Sequence, residues 1–487
     1  MKTNLIRNKI GFVIVLGLFV FITVGMVCLA DSTSLETKKE QVNTLFAQWN
    51  KPGTPGAAVV VVQKGKTVFK NFYGFANLEH GIPISENTVF AVGSVSKQFT
   101  GFAILQLEKQ GKLSLQDDIR IYIPELPDLG ETVTISHLLH HTGGLKEQFH
   151  LLAMAGVFNA DTITMDQILK LVINQKHLAF KPGERLMYSN TGYMLLATIV
   201  QRITGKSFRR YMDEIVFQPL GMTHSHFHDD LTEIIKNKAD SYDVDETTAP
   251  GFARGLLNHG IVGNTGLFTT ASDMAKWLNN WIDHKIGGPD LLEKMTRTDL
   301  LNSGEKTDYG FGIGVTAYRG LKVLLHSGSD SGYRAYTAIF PDQSFGLAVF
   351  TNLYAINPSA LGKKIQDIFL SEYFTSPEEK PKTEEIAGET QKNITLTREQ
   401  LAEYTGTFYS EELGTVYKIE RLVKILALTH IRNETVLLKP SADKDVFTCD
   451  TWWLKEVAFT RDKNGKISGC RLSSSRAPNV IFTKITK

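Results

Sequence analysis

Ser94-Val95-Ser96-Lys97 sets a hydroxyl three residues ahead of an amine. On an α-helix, positions i and i+3 share a face, so Lys97 can take the proton that a Ser94 nucleophile must lose. The same spacing recurs at Ser303 and Lys306 and at Ser441 and Lys444, so context has to choose among the three. Tyr188-Ser189-Asn190 offers a phenol for proton transfer and an amide to hold a substrate carbonyl; a nearby lysine ammonium is expected to lower the phenol pKa. His326-Ser327-Gly328 ends an apolar strand-like run, where a glycine admits a close substrate backbone and the N–H groups just beyond it are free to donate. A second His-x-Gly, His141-Thr142-Gly143, lacks that strand setting. Each group also has an ordinary reading, because Ser94, Ser189 and Asn190 are all good helix N-caps and Tyr188 is a good packing residue.

The elements that must position these groups follow from periodicity. Gly56–Gln63 is a continuous apolar run, and Lys64-Gly65-Lys66 turns it into a second strand over Thr67–Tyr73. From Ser94 to Gln110, Phe99, Phe102, Ala103 and Leu107 recur at helical spacing until Gly111, so Ser94 opens a helix. Further helices are expected over Thr191–Thr204, stopped by Gly205, and over Phe208–Phe217. Leu321–Asn352 reads as three sequential strands, with His326-Ser327-Gly328 at the end of the first. A strand pair, many helices and a strand meander give an α/β sandwich whose antiparallel sheet is closed by both chain ends of the domain. A Pro-, Glu- and Lys-rich linker at 376–394 separates this domain (31–375) from a small all-β domain, barrel or sandwich, at 395–487.

Composition narrows the function. A net charge of +2 over 487 residues, without a basic run, argues against a nucleic-acid partner. Lys2, Arg7 and Lys9 precede an uncharged apolar stretch from Ile10 to Ala30, the pattern of an export signal over 1–30, with an uncleaved membrane anchor through 10–30 as the alternative. Either way the remainder is expected outside the cytoplasm, periplasmic or extracellular. There Cys449 and Cys470 either pair or stay as two buried thiols. No feature specifies an oligomer.

The three motifs in this order resemble the penicillin-recognising serine hydrolases, in the class C β-lactamase and D-aminopeptidase/esterase branch. Segments such as NTVFAVGSVSKQFTGFAILQLEKQGKLSLQDDI, ISHLLHHTGGL, FKPGERLMYSNTGYMLLATIVQRITGKSF and GLFTTASDMAKW carry the resemblance from about Pro52 to Asn352. It implies Ser94 as acylated nucleophile, Lys97 as proton acceptor and Tyr188 as the group that passes the proton on and activates water. Either Lys97 or Tyr188 can be the main base. Asn190 would orient the substrate amide, His326, Ser327 and Gly328 would line its binding strand, and the N–H groups of Ser94 and Ser329 would form the oxyanion hole. The implied activity is hydrolysis of an ester or amide, such as a D-aminoacyl or cell-wall-derived peptide; the alternative is a penicillin-binding protein or weak β-lactamase that deacylates slowly. Where many such enzymes carry a lysine this chain has His326, mostly neutral at pH 7, so recognition of a substrate carboxylate and β-lactam turnover should both be weak.

No cofactor is expected. His224, His226 and His228 alternate as strand ligands would, and His137, His140 and His141 cluster at helical spacing, but neither set has a supporting HExxH or Cys/Asp pattern, so no metal is expected. Gly310, Gly312 and Gly314 read as a glycine-tolerant strand beside the site. The pocket walls are expected from the loops 149–161 and 243–258.

Overall fold

The valine-rich run forms a buried interior strand of the main sheet. The computed structural model describes residues 35–158, 160–377 and 394–485; the leader expected at 1–30 and most of the linker expected at 376–394 lie outside the described residues. Six strands form one antiparallel sheet: β1 (Ala57–Gln63), β2 (Lys66–Tyr73), β3 (Gly314–Tyr318), β4 (Leu321–Asp330), β5 (Tyr333–Phe340) and β6 (Phe345–Thr351). Their order is β3-β4-β5-β6-β1-β2, so the first strands of the domain close onto its last one. The β1–β2 turn is Lys64-Gly65, both at positive φ (50° and 76°), the two-residue geometry that matches strand twist.

Successive side chains of β1 point to opposite faces, and both faces are covered. Ala58, Val60 and Val62 join the core shared with the main helices, while Ala57, Val59 and Val61 join a second core with Phe46 and Ile365. Each buried valine contributes roughly 1.5–3 kcal/mol relative to exposure. Two helices from the first of these cores position the motifs: α1 (Lys97–Lys109) and α2 (Asn190–Thr204), the latter ended by Gly205 at φ +66°. Phe208–Phe217 is helical as expected, but its second half (Asp213–Phe217) is a π-type turn.

The three strands expected over Leu321–Asn352 are present as β4, β5 and β6; β3 precedes them, and its GVTAY sequence has too few large apolar residues to announce a strand. One strand expectation needs correction. The glycine cluster is not itself a strand: only Gly314 begins β3, and at Gly312 (φ +80°) a Cβ would lie 2.2 Å from the Lys97 carbonyl oxygen, so this loop is glycine-rich because it packs on the start of α1.

The C-terminal strands, Gly406–Ser410 to Val480–Lys484, form a closed eight-stranded antiparallel barrel. Cys449 and Cys470 are free thiols, which corrects the pairing alternative: Cys449 follows one strand and Cys470 lies on another, with Glu456–Arg461 between them. Burial pushes the Cys449 thiol up to about 11 and raises Cys470 further. The barrel core includes Leu151, Ala153 and Met154 from the part of the chain that carries the six-stranded sheet, so helix Gln148–Met154 is a shared element. A fully buried ion pair, Lys146 Nζ to Glu412 Oε2 at 2.9 Å, joins the two parts.

Candidate active site

Ser94 sits in a tight 3-10 turn (Gly93–Ser96) that runs directly into α1, and neither Ser94 nor Ser96 caps the helix. The ordinary reading of Ser94 as a cap is therefore not realised. Ser96 instead bonds the Gly93 carbonyl (2.6 Å) and receives the Leu267 N–H (3.1 Å), pinning the turn to a neighbouring strand.

Lys97 is fully buried, and its Nζ lies 3.1 Å from Ser94 Oγ, 2.7 Å from Asn190 Oδ1 and 2.7 Å from the Asn264 carbonyl oxygen. Burial holds its pKa well below the usual lysine value, and the Arg476 charge lowers it further, against opposing pulls from Glu147 and Asp330. A neutral amine has two hydrogens and one lone pair. Asn190 Oδ1 and the Asn264 carbonyl can only accept, so they take both hydrogens and leave the lone pair for the Ser94 hydroxyl. The Asn190 amide orientation is fixed from its other end, because its Nδ2 donates to the Glu147 carboxylate at 2.8 Å.

Glu147 escaped the sequence reading. It is buried, its Oε2 accepts the N–H groups of Phe149 and His150, and it thereby caps helix Gln148–Met154 while orienting Asn190. In sequence it is only an acid before a short helix, an ordinary cap. His141, set aside as the wrong His-x-Gly, also belongs here: its Nδ1 accepts the Ser189 N–H at 3.1 Å and its ring packs 4.3 Å from Tyr188 and 4.6 Å from Tyr309. Neither Ser189 nor Asn190 caps α2 with its side chain.

The Tyr188 hydroxyl is buried beside Ser94 without an aligned hydrogen bond, and Lys97 Nζ lies 4.8 Å from its ring centre. Burial raises the phenol pKa, and the lowering effects of Ser94 and Arg476 do not compensate. This reverses the expected direction: desolvation of the buried phenol outweighs the stabilising groups around it.

His326 lies in the middle of β4, not at its end. Pairing with β3 stops at Leu325, which leaves the outer edge of β4 open to the cleft from His326 onward. The ring is neutral: burial first, then Lys97, pulls its pKa to about 3. Nδ1–H donates to the Ser327 carbonyl (2.6 Å) and Nε2 accepts from the Tyr309 hydroxyl (2.8 Å), so both nitrogens are occupied. Gly328 is explained by the protein's own backbone and not by a substrate's. A Cβ there would stand 2.0 Å from the Val92 carbonyl oxygen and 3.2 Å from Ser94 N; one on Gly93 (φ +53°) would stand 2.7 Å from Ser329 N. The two glycines thus let the N–H groups of Ser94 and Ser329 converge.

The cleft over Ser94 has a volume of about 840 Å³ and is walled by Tyr188, His326, Arg334, Tyr354 and Arg476. It shares Ser329, Arg334 and Tyr354 with an adjoining hollow whose far wall includes Phe149, Phe158, Leu256 and Trp452. Both expected wall loops therefore contribute, and the barrel adds a third source. Arg476, between the last two barrel strands, brings its guanidinium 5.6 Å from the Tyr188 ring centre, and its carbonyl accepts the Glu147 N–H at 2.9 Å. Ser474, from the same loop, lies 2.8 Å from His150 Nδ1.

The two-faced sheet, the serine at the head of α1 and the open edge of β4 define the serine-hydrolase fold class of β-lactamases and transpeptidases. The chain belongs to the beta-lactamase family, whose sequence profile matches residues 42–368. It is 27% identical over 324 residues to protein flp of Staphylococcus aureus (strain MRSA252), spanning 65% of this chain and 63% of flp, so less than two thirds of that relative's length is matched. Its fold is similar to the octameric penicillin-binding protein homologue from Pyrococcus abyssi (24% identity, 93% of this chain and 100% of that one, TM-score 0.60). A D-stereospecific amidohydrolase from Streptomyces sp. shares the fold over 68% of this chain and 99% of its own (18% identity, TM-score 0.57).

Proposed function

We propose that this protein is an exported serine hydrolase that cleaves an ester or amide, of the D-aminoacyl or cell-wall-peptide kind, through an acyl-enzyme on Ser94. The observation that carries the reading is the Lys97 amine, whose two acceptor-only neighbours direct its lone pair at Ser94 Oγ. Lys97 takes the Ser94 proton as Oγ attacks the substrate carbonyl. The resulting oxyanion is held by the N–H groups of Ser94 and Ser329, each worth roughly 3 kcal/mol in comparable sites. Tyr188, kept neutral by burial, hands a proton to the leaving group and regains it from Lys97. The collapsed ester is then hydrolysed by water on the same relay.

His326, neutral and doubly hydrogen-bonded, offers no cation to a carboxylate. Arg476 and Arg334 in the cleft wall do. The substrate is therefore read as an acyl donor with an anionic group, held from the barrel side and not from β4. The charged-then-apolar residues 1–30 support export, with cell-wall peptides as accessible substrates.

A second reading, a penicillin-binding protein that acylates and then stalls, draws on the raised pKa of Tyr188, since a phenol that cannot ionise activates water poorly. One panel separates them: D-aminoacyl p-nitroanilides, p-nitrophenyl esters, nitrocefin and a fluorescent penicillin, on the wild type and Ser94→Ala. Multiple turnovers of amide or ester, slow nitrocefin hydrolysis and loss of both in Ser94→Ala support the hydrolase. Stable penicillin labelling without turnover supports the second reading, and full activity in Ser94→Ala refutes both.

A further inference from the structure

A second group of chemistry-bearing side chains lies on the small three-stranded sheet formed by Phe90–Ala91, Leu267–Thr269 and His226–Phe227. His226 and His228 stand two residues apart, so both imidazoles leave the chain on one side while Phe227 between them is buried in the core. Phe268, paired with His226 across the sheet, packs on both rings at 5.9 and 5.1 Å and fixes their orientation. Glu233 comes from the following turn, its Oε2 lying 4.0 Å from His226 Nε2 and 3.6 Å from His228 Nδ1.

Those two ring nitrogens are buried and have no hydrogen-bond partner. They face a carboxylate oxygen yet stand too far from it to bond, a separation that a small cation between them would explain. All three ligand atoms lie within 4.8 Å of one another. Around a tetrahedral zinc ion with bonds of about 2.0–2.1 Å, ligand atoms lie roughly 3.4 Å apart. The two nitrogen–oxygen gaps are near that value already, and modest side-chain movement closes the set. Arg209 grips Glu233 through both oxygens (2.5 and 2.8 Å) and also approaches Asp229 (3.6 Å). A ligating carboxylate is ordinarily fixed by such outer hydrogen bonds, and Glu233 Oε2 retains a lone pair; the guanidinium charge works against tight affinity.

We infer that His226, His228 and Glu233 form a binding site for a zinc-type divalent transition metal, completed by water. Imidazole and carboxylate donors suit zinc over magnesium or calcium. The sequence alone gave no such expectation, because Glu233 is not spaced as in a known ligand motif. The ion braces the scaffold of the catalytic lysine: the His228 N–H donates to the Gly266 carbonyl (2.8 Å), two residues beyond the Asn264 carbonyl that accepts from Lys97. His224 stands apart; its N–H is bonded to Asp273 (2.7 Å) and its ring is exposed to solvent.

The test uses the tag-free full chain, stripped with chelator and titrated with Zn2+ by calorimetry, with metal counted after gel filtration and Co2+ absorption as a geometric readout. The expected result is one equivalent of Zn2+, a rise in Tm of several degrees, d–d bands of low-symmetry Co2+ and no response to Mg2+. His226→Ala/His228→Ala is expected to weaken Zn2+ binding at least a hundredfold and to abolish the Tm rise, while His224→Ala retains both. Glu233→Gln, which keeps the Arg209 contact in part, is expected to weaken Zn2+ binding and keeps the assignment testable where the double variant folds poorly. Failure of the wild type to bind one equivalent, or equal binding by Glu233→Gln and the wild type, overturns the assignment.

Discussion

Arg476→Ala removes a barrel residue from a cleft whose reacting groups all lie in the other half of the chain. Truncating one partner of a charge-assisted hydrogen bond costs about 1.5–3 kcal/mol. Arg476 is partly exposed at the cleft wall, which favours the lower part of that range, so kcat/KM for a carboxylate-bearing substrate should fall about tenfold to fortyfold, mostly in KM. A matched neutral ester should lose far less. The pH profile provides a second readout. Arg476 disfavours the Lys97 ammonium, so its removal raises the Lys97 pKa, and the neutral amine needed for attack is reached only at higher pH. The acid limb of kcat/KM must therefore move upward. Equal losses on charged and neutral substrates, or an acid limb that moves downward, would refute the reasoning.

Further outcomes follow from other contacts. Glu147→Gln removes the leading charge that supports the Lys97 ammonium, so its acid limb should move to lower pH, opposite to Arg476→Ala. Glu412→Ala leaves Lys146 buried without its partner and should cost about 3–5 kcal/mol in denaturant unfolding, partly recovered when Lys146→Met is added. Gly328→Ala forces a Cβ into the Val92 carbonyl and should lower both Tm and acylation rate, by at least the roughly 1–3 kcal/mol of an overpacked site. Ellman titration of protein lacking residues 1–30 should show two thiols after denaturation and almost none at pH 8 in the folded state, because burial suppresses both thiolates.

Much of this site was legible in sequence because its parts are local. Ser94 and Lys97 are one helical turn apart, Tyr188 and Asn190 flank a helix start, and the His326 strand stands out as an apolar run, although its open edge depends on where the unannounced β3 stops pairing. Parts that depend on distant chain meeting in space were not legible. Glu147 touches Asn190 across 43 residues, the Asn264 carbonyl meets Lys97 across 167, and Arg476 arrives from the other half of the molecule. The direction of the Tyr188 shift differs from the expectation for a related reason: burial of the phenol itself, which depends on distant chain packing over it, outweighs the effect of nearby charge. His141 was passed over because its value lies in a single ring nitrogen accepting the Ser189 N–H, a contact without a sequence period.

Acyl transfer through Ser94 is tested most directly by intact-mass spectrometry of the protein quenched during turnover of a slow ester, followed by peptide mapping. The account predicts one added acyl group on Ser94, absent in Ser94→Ala and greatly slowed in Lys97→Ala. An acyl group on another residue, or turnover in Ser94→Ala at the wild-type rate, would contradict it.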